Sequence, residues 1–281
     1  MGAGESGALS PLRYSARFSA LATRGAVSAL YAYTDEIQAI LNQSRSSDIR
    51  LLKLGYWQQE LARAQRGSAQ HPLARALAEN LPPTLFSHPD LAQVITCAER
   101  EGHYAGRFPA AAFLDLLAGE WGGPLRLAAE VQGANGAACA HFATTVALAW
   151  GLTERLQYIG LTFRRRPEEL SSLMALGSVP VGAERDTGPK KACAADTFHG
   201  AVAALYETAL SHYEQAFMLW PTVRQRALYS HIVLARLGRT LLSELAGSRD
   251  TLLQAQVLLP QRRLWTTAWR CLVLTRLFGR P

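Results

Sequence analysis

Residues 24–42 place the strongest constraint on the fold of this chain. Mostly apolar side chains recur there at intervals of three and four and share one face of an α-helix: Val27, Leu30, Thr34, Ile37 and Leu41. At ~100° per residue, a narrow polar strip borders that face and consists of Arg24, Tyr31, Asp35, Gln38 and Asn42. Such a strip could line an internal cavity or form a helix edge wetted by solvent, and the spacing alone favours the wetted edge.

The rest of the chain also predicts helices and no strands. We expect helices over 12–42, 49–65, 71–81, 87–102, 108–121, 192–219, 222–247 and 251–278, with two more between 125 and 163 that meet near 149–151. No stretch alternates with period two, and 177–191 is the clearest loop. The prediction is an all-α, single-domain bundle of about ten helices, with a flexible N-terminus at 1–11 and one domain at 12–281.

The charge balance is basic and is carried by arginine. The chain has 29 Lys+Arg against 22 Asp+Glu, for a net charge of +7, and Lys53, Lys190 and Lys191 are its only lysines. Arginine suits contacts with phosphate or anionic lipid, although a GC-rich genome explains the excess equally well. No nucleic-acid-binding motif accompanies it, so we expect no nucleic-acid partner.

The four cysteines form no CxxC pair, and no histidine pair stands near them at zinc-ligand spacing. They are typical of isolated buried thiols in a reducing compartment. No apolar run of about 18 residues predicts a membrane span. We expect a cytoplasmic protein without a metal site, and leave peripheral contact with the inner membrane open.

The C-terminal segment 261–280 is the reason for leaving that contact open. Four arginines share an arc of its helical wheel, with two tryptophans near the border of the arc: Arg262, Arg263, Arg270, Arg276, Trp265 and Trp269. Arginine beside tryptophan favours a helix that lies on a membrane surface. Val273 and Leu277 interrupt the arc, so a terminal helix packed on the bundle is the slightly favoured alternative.

Three segments resemble the squalene/phytoene synthase family: ALYAYTDEI at 29–37, IRLLKLGYWQQELARAQRGSAQHPLARALAE at 49–79, and AWGLTERLQYIGLTFRRRPEELSSLM at 149–174. The resemblance implies the all-α isoprenoid synthase fold around a central cavity. It also implies head-to-head joining of two prenyl diphosphates. In that family Mg²⁺ is held by two Asp-x-x-x-Asp motifs facing each other across the cavity, which suits the hard oxygen ligands that Mg²⁺ requires.

The chain departs from the family at both motifs. The first aspartate pair falls on Gln38 and Asn42, and the second falls on Tyr158 and Thr162. Amides and hydroxyls lack the negative charge that collects Mg²⁺, so we expect these residues to line a former metal site. The resemblance adds further candidates: Tyr31 and Asp35 as cavity lining, and Arg24, Arg164 and Arg165 as diphosphate-type basic residues.

One branch of the family shows this kind of loss and includes an assembly factor of mitochondrial respiratory complex I and related bacterial proteins. The chain is similar to this branch in ALYAY, in the segment around Tyr56 and Trp57, and in AWGLT. It departs from the branch at 56–60, where Tyr-Trp-Gln-Gln-Glu replaces the Trp-Trp-Arg-Glu of the branch. The resemblance implies a non-catalytic protein without cofactor that binds an isoprenoid-like lipid or a protein partner near the membrane.

Two alternatives stay open. The first is an active prenyltransferase that condenses farnesyl or geranylgeranyl diphosphate with Mg²⁺ held by displaced ligands, for example Asp35 and Glu154. The second is a helical scaffold whose cavity has collapsed, with large side chains filling the space between positions 38 and 158.

Overall fold

The computed structural model of the chain describes residues 10–44, 46–103, 110–165, 194–247, 252 and 258–279. Within these residues every regular element is a helix and no strand occurs. This confirms the all-α prediction. The predicted loop at 177–191 and residues 1–9 lie outside the described part of the chain.

The first half of the bundle consists of short and medium helices. They are α1 (Pro11–Ser15), a 3₁₀ turn (Ala16–Phe18), α2 (Arg24–Gln43), α3 (Ser47–Gln65), α4 (Pro72–Asn80), α5 (Pro83–Phe86) and α6 (Pro89–His103). Proline stands at the first turn of several of these helices, where its missing N–H costs no hydrogen bond. The Ser46 hydroxyl caps α3 by accepting from the Ile49 N–H.

The second half contains the longest helices. They are α7 (Ala110–Leu117), a π-helical segment (Ala118–Gly122), α8 (Gly123–Val131), α9 (Ala137–Arg165), α10 (Ala194–Val223), a 3₁₀ turn (Arg226–Leu228), α11 (Tyr229–Gly247) and α12 (Gln261–Phe278). None of the described helices is long and apolar enough to cross a membrane.

Several predicted boundaries are wrong. The helix expected from 222 begins at Tyr229, because α10 continues through Pro221 to Val223. The helix expected over 12–42 is interrupted, because Ser19 has an extended backbone (φ −71°, ψ 156°) and a turn follows it before α2. The break expected near 149–151 lies instead at Gly133 and Gly136, whose φ angles of 85° and 105° favour glycine. Residue 151 stays helical within α9, so the alanine-rich region is not divided there.

Helix α9 forms the centre of the bundle and packs against α10, α11, α8 and the π-helical segment. Trp121 and Trp150 meet edge to face in this region, with ring centroids 6.3 Å apart. A Cβ at Gly151 would clash with the Trp121 ring. Glycine therefore allows α9 to approach the π-helical segment closely, and both elements contribute charged side chains to the same interior region.

Helix α2 lies against α4, α6 and α8 and also contacts α9. Its apolar residues Val27, Leu30, Ile37 and Leu41 are completely buried, as their spacing predicts. Three of the four cysteines, Cys97, Cys139 and Cys271, are buried free thiols in the described residues.

Candidate functional site

The polar strip of α2 faces the interior of the bundle. Tyr31 is completely buried, and Gln38 and Asn42 are only 1% and 5% exposed. Asp35 is half-buried. The prediction of a helix edge wetted by solvent is therefore wrong, and what surrounds the strip decides its chemistry.

Gln38 contacts a buried glutamate from a distant part of the chain. Its Nε2 donates to Oε2 of Glu120 at 3.2 Å. Glu120 is completely buried within the π-helical segment, and π-helical turns often occur at functional sites. A Cβ at the neighbouring Gly119 would clash with Sγ of Cys97, so this segment packs directly on α6.

An arginine from α9 completes the cluster. Arg155 donates from Nη1 and Nη2 to the two carboxylate oxygens of Glu101, at 2.8 and 2.5 Å, and from Nη2 to Oε2 of Glu120 at 2.8 Å. The paired contact with Glu101 is the two-pronged geometry that guanidinium forms best with a carboxylate. We call Gln38, Glu101, Glu120 and Arg155 the Arg155 network. It joins α2, α6, the π-helical segment and α9.

The network contains one buried cation and two carboxyl groups. Burial raises the pKa of Glu120 well above its ordinary value, and the charge of Glu101 and a hydrogen bond to Glu101 raise it further, while Arg155 and Gln38 act in the opposite direction. Burial would lower the pKa of Arg155, but the carboxylates around it raise that pKa overall. Arg155 therefore stays charged, and Glu120 holds a proton more tightly than an ordinary carboxyl group does.

Two further acids lie beside the network. Burial raises the pKa of Asp35 to about 6, although Ser10 donates a hydrogen bond to its Oδ2 at 3.1 Å. Burial raises the pKa of Glu154 to about 8, and the charges of Asp35 and Glu101 contribute to that rise. Glu154 Oε2 is buried without a hydrogen-bond partner among the described residues. The charge of Asp35 on α2 thus reaches Glu154 on α9.

The second motif position is more open than the first. Tyr158 and Thr162 are half-buried on α9, four residues apart, and Arg164 is exposed. The Arg165 side chain lies outside the described residues. Residues 158 and 162 therefore share one face of α9.

Arg24 does not join this site. It begins α2 and donates from Nη2 to the carbonyl of Ser19 at 3.3 Å. Fourteen residues of helix separate it from Gln38, which corresponds to about 20 Å along the axis. Its assignment as a diphosphate-type basic residue stays a prediction.

The sequence interpretation did not identify Glu101, Glu120 or Arg155 as site residues. One signal was available, because Glu120 stands between apolar and glycine residues in LLAGEWGG. A lone acid in such a stretch must find a partner or a proton when it is buried. The identity of that partner is set by tertiary packing, which brings position 155 to position 120.

The described acids do not form a Mg²⁺ site of the expected kind. No three histidine, cysteine, aspartate or glutamate side chains in the described ranges come together as a set that could hold a metal ion. Glu101 and Glu120 are engaged by a guanidinium, which supplies the positive charge that a cation would bring. An amide stands at position 38, where the resemblance places the first metal ligand. The residues present therefore do not fit bound Mg²⁺ at this point.

Comparison with known proteins agrees with this architecture. The squalene/phytoene synthase family profile matches residues 12–263. The solved structure of squalene synthase HpnC from Alicyclobacillus acidocaldarius is similar with a TM-score of 0.57, over 86% of this chain and 89% of that one, at 16% sequence identity. No curated protein matches the chain significantly. The family profile covers most of the chain, and the solved structure shares its all-α isoprenoid synthase fold. The chain belongs to the squalene/phytoene synthase family.

Proposed function

We propose that this protein binds an isoprenoid-like lipid within the family fold and does not carry out Mg²⁺-dependent ionisation of a prenyl diphosphate. The observation that carries the proposal is the pairing of Arg155 with Glu101 and Glu120 next to Gln38. The ionisation step needs several divalent cations to stabilise a departing diphosphate. An interior guanidinium that already neutralises the local acids competes with such cations.

The electrostatics of the site support the same proposal. Glu120 and Glu154 have raised pKa values, so both hold protons more tightly than ordinary carboxylates. Metal binding requires deprotonated ligands and would have to release those protons. The neutral amides at positions 38 and 42 and the hydroxyl groups at 158 and 162 instead suit an uncharged or weakly polar ligand.

Two measurements test the proposal together. Purified protein is titrated with farnesol and with farnesyl diphosphate, each with Mg²⁺ and with EDTA, and heat of binding is recorded by calorimetry. In parallel, release of diphosphate from farnesyl diphosphate is followed. We expect binding that does not depend on Mg²⁺ and no diphosphate release. Release of diphosphate that requires Mg²⁺ would overturn the proposal.

An active prenyltransferase is the second candidate, and one observation favours it. Asp35 and Glu154 come from facing helices, the Asp35 charge raises the pKa of Glu154, and Glu154 Oε2 has no hydrogen-bond partner among the described residues. Two carboxyl groups with an unpartnered oxygen are a starting point for a displaced cation site. If this candidate holds, D35N and E154Q each abolish Mg²⁺-dependent diphosphate release, whereas E36Q, which changes the neighbouring exposed acid on α2, leaves it intact.

A protein partner is the alternative to the lipid. Failure of every prenyl compound to bind, together with absence of diphosphate release, would favour it over both candidates above.

A further inference from the structure

The outer side of α12 carries an apolar ridge. Trp265, Trp269, Val273 and Leu277 follow one another at intervals of four residues, and they are 56%, 45%, 45% and 70% exposed. Residues four apart form a continuous ridge along a helix. The opposite side of α12, which includes Leu264 and Ala268, is buried against the bundle. The helix therefore packs on the protein with one face and presents a second apolar surface outward.

Arginines lie between the members of this ridge. Arg262, Arg270 and Arg276 are exposed and occupy the same outward side of α12 by helical spacing. The segment 258–279 contains no acidic residue. Arg263 is paired with Glu244, whereas Arg262 and Arg270 have no acidic partner within the described part of the chain. The surface thus combines large apolar side chains with uncompensated positive charge.

A groove adjoins the start of the ridge. It has a volume of about 440 Å³ and lies between α1 and the first turns of α12, with Tyr14, Arg17, Arg262 and Trp265 in its walls. The Arg17 guanidinium lies over the Tyr14 ring, 5.2 Å from its centroid. Two guanidinium groups beside two aromatic rings suit a ligand with a phosphate attached to an apolar body.

The segment before α2 extends the same surface. The Phe18 ring contacts the Trp269 ring edge to face, with centroids 6.5 Å apart. Three residues later Leu21 is 82% exposed. The 3₁₀ turn therefore lies beside α12, and another large apolar side chain follows it closely.

We propose that α12, together with its groove against α1, binds the surface of an anionic phospholipid bilayer. The ridge enters the boundary between headgroups and acyl chains, and Arg17 and Arg262 bind a lipid phosphate. Tryptophan and arginine are the residues that favour this depth. An anionic bilayer fits better than a protein partner, because segment 258–279 carries positive charge along its length and no acidic residue, which complements a continuous negative surface. The proposal goes beyond lipid binding in the interior and does not depend on it.

Flotation of the purified chain with vesicles tests this surface. Vesicles of phosphatidylcholine alone are compared with vesicles that also contain phosphatidylglycerol. We expect the protein to float with the anionic vesicles and to be released by salt. R262Q/R270Q should weaken partitioning about 30-fold, which corresponds to ~1 kcal/mol per arginine near an anionic surface. W265S/L277S should weaken it at least roughly tenfold.

Matched controls separate this surface from general charge and hydrophobicity. R66Q/R100Q removes two exposed arginines, one directly after α3 and one in α6. L52S/M218S removes two side chains elsewhere on the surface that are 76% and 73% exposed. Both controls should float like the unaltered protein, and all variants should keep its thermal midpoint. The proposal is overturned if the unaltered chain does not float, or if the controls lose binding equally. It is also overturned if W265S/L277S instead converts a dimer to a monomer, since the ridge would then join two copies.

Discussion

Arg155 of α9 holds Glu101 of α6 through two parallel hydrogen bonds, at 2.8 and 2.5 Å, in a region where the exposed fractions of the two side chains are 9% and 5%. Desolvation of such a pair is expensive, and the hydrogen bonds offset that cost only while both partners are present. The pair is therefore a sensitive probe of whether this interior is built around a guanidinium.

Replacement of Arg155 by methionine should lower the free energy of unfolding by about 3–5 kcal/mol, because it leaves buried carboxylates without their cation. The double variant E101L/R155M should be more stable than R155M alone, since it removes the stranded charge together with its partner. Urea unfolding of R155M, E101L and E101L/R155M gives the coupling energy between Glu101 and Arg155. A loss below roughly 1 kcal/mol for R155M would contradict the described packing.

Glu154 predicts a loss of stability as the pH rises towards about 8. Its pKa in the folded chain is about 8, above the ordinary value near 4.3 expected when unfolded, so the folded state binds an extra proton between these limits. The contribution to stability is complete below the lower value and is lost as pH rises through about 8, at up to ~1.4 kcal/mol per pH unit. Thermal midpoints of the natural chain should fall between about pH 6.5 and about 8.

E154Q is the matched variant for this pH effect, because its amide stays neutral and keeps nearly the same shape. Its thermal midpoint should change less than that of the natural chain between about pH 6.5 and about 8. His231 acts at the other end of the range, since burial lowers its pKa to about 4 and stability is lost as pH falls from about 6.5 towards that value. An E154Q profile that parallels the natural one between about pH 6.5 and about 8 would count against a proton on Glu154.

The two motif positions should respond differently to restored aspartates. Q38D removes the donor to Glu120 and adds negative charge next to it, so we expect a loss of at least about 2 kcal/mol in urea unfolding. Y158D/T162D places two carboxylates on a half-buried face of α9 and should be tolerated better. Thermal shifts with and without Mg²⁺ should show metal-dependent stabilisation in Y158D/T162D and none in the natural chain. A Mg²⁺ shift in the natural chain would instead support the displaced-ligand candidate.

Two glycine substitutions test the contact between α9 and the π-helical segment. G151A adds a methyl group that clashes with Trp121 and should cost about 1–3 kcal/mol. G55A adds the same methyl group inside α3, where nothing lies within 4 Å, and should stabilise the chain by about 0.5–1 kcal/mol. The denaturant midpoints of G151A and G55A are compared with that of the natural chain. If both variants shift the midpoint by the same amount in the same direction, helix propensity alone is being measured and the contact with Trp121 is not supported.

Much of the fold follows from local pattern. The three- and four-residue spacing of α2 predicts its buried face, and the prolines at 72 and 89 mark helix starts where the structure has them. The breaks within 125–163 were harder to locate, because Gly151 and Gly133 look alike in sequence. One is held helical by contact with Trp121, and the other adopts a positive φ.

The site was less predictable for a related reason. Spacing correctly groups Gln38 and Asn42 on one strip, but it cannot tell whether that strip meets water or a glutamate 82 residues away. The partners of Gln38 come from α6, the π-helical segment and α9, which are brought together only by packing. Resemblance predicts where the aspartate pairs of the family would fall, whereas Arg155 could be placed in the site only by tertiary structure.

The π-helical segment gives Glu120 its place by means of one surplus residue. A π turn contains one residue more than an α turn, so deletion of Ala118 would let the segment revert to α-helix and rotate Glu120 by about 100° relative to α7. That rotation would turn its carboxyl away from Arg155 without altering any side chain of the network. A single codon gained or lost in this segment would therefore be enough to assemble or dismantle the internal ion cluster.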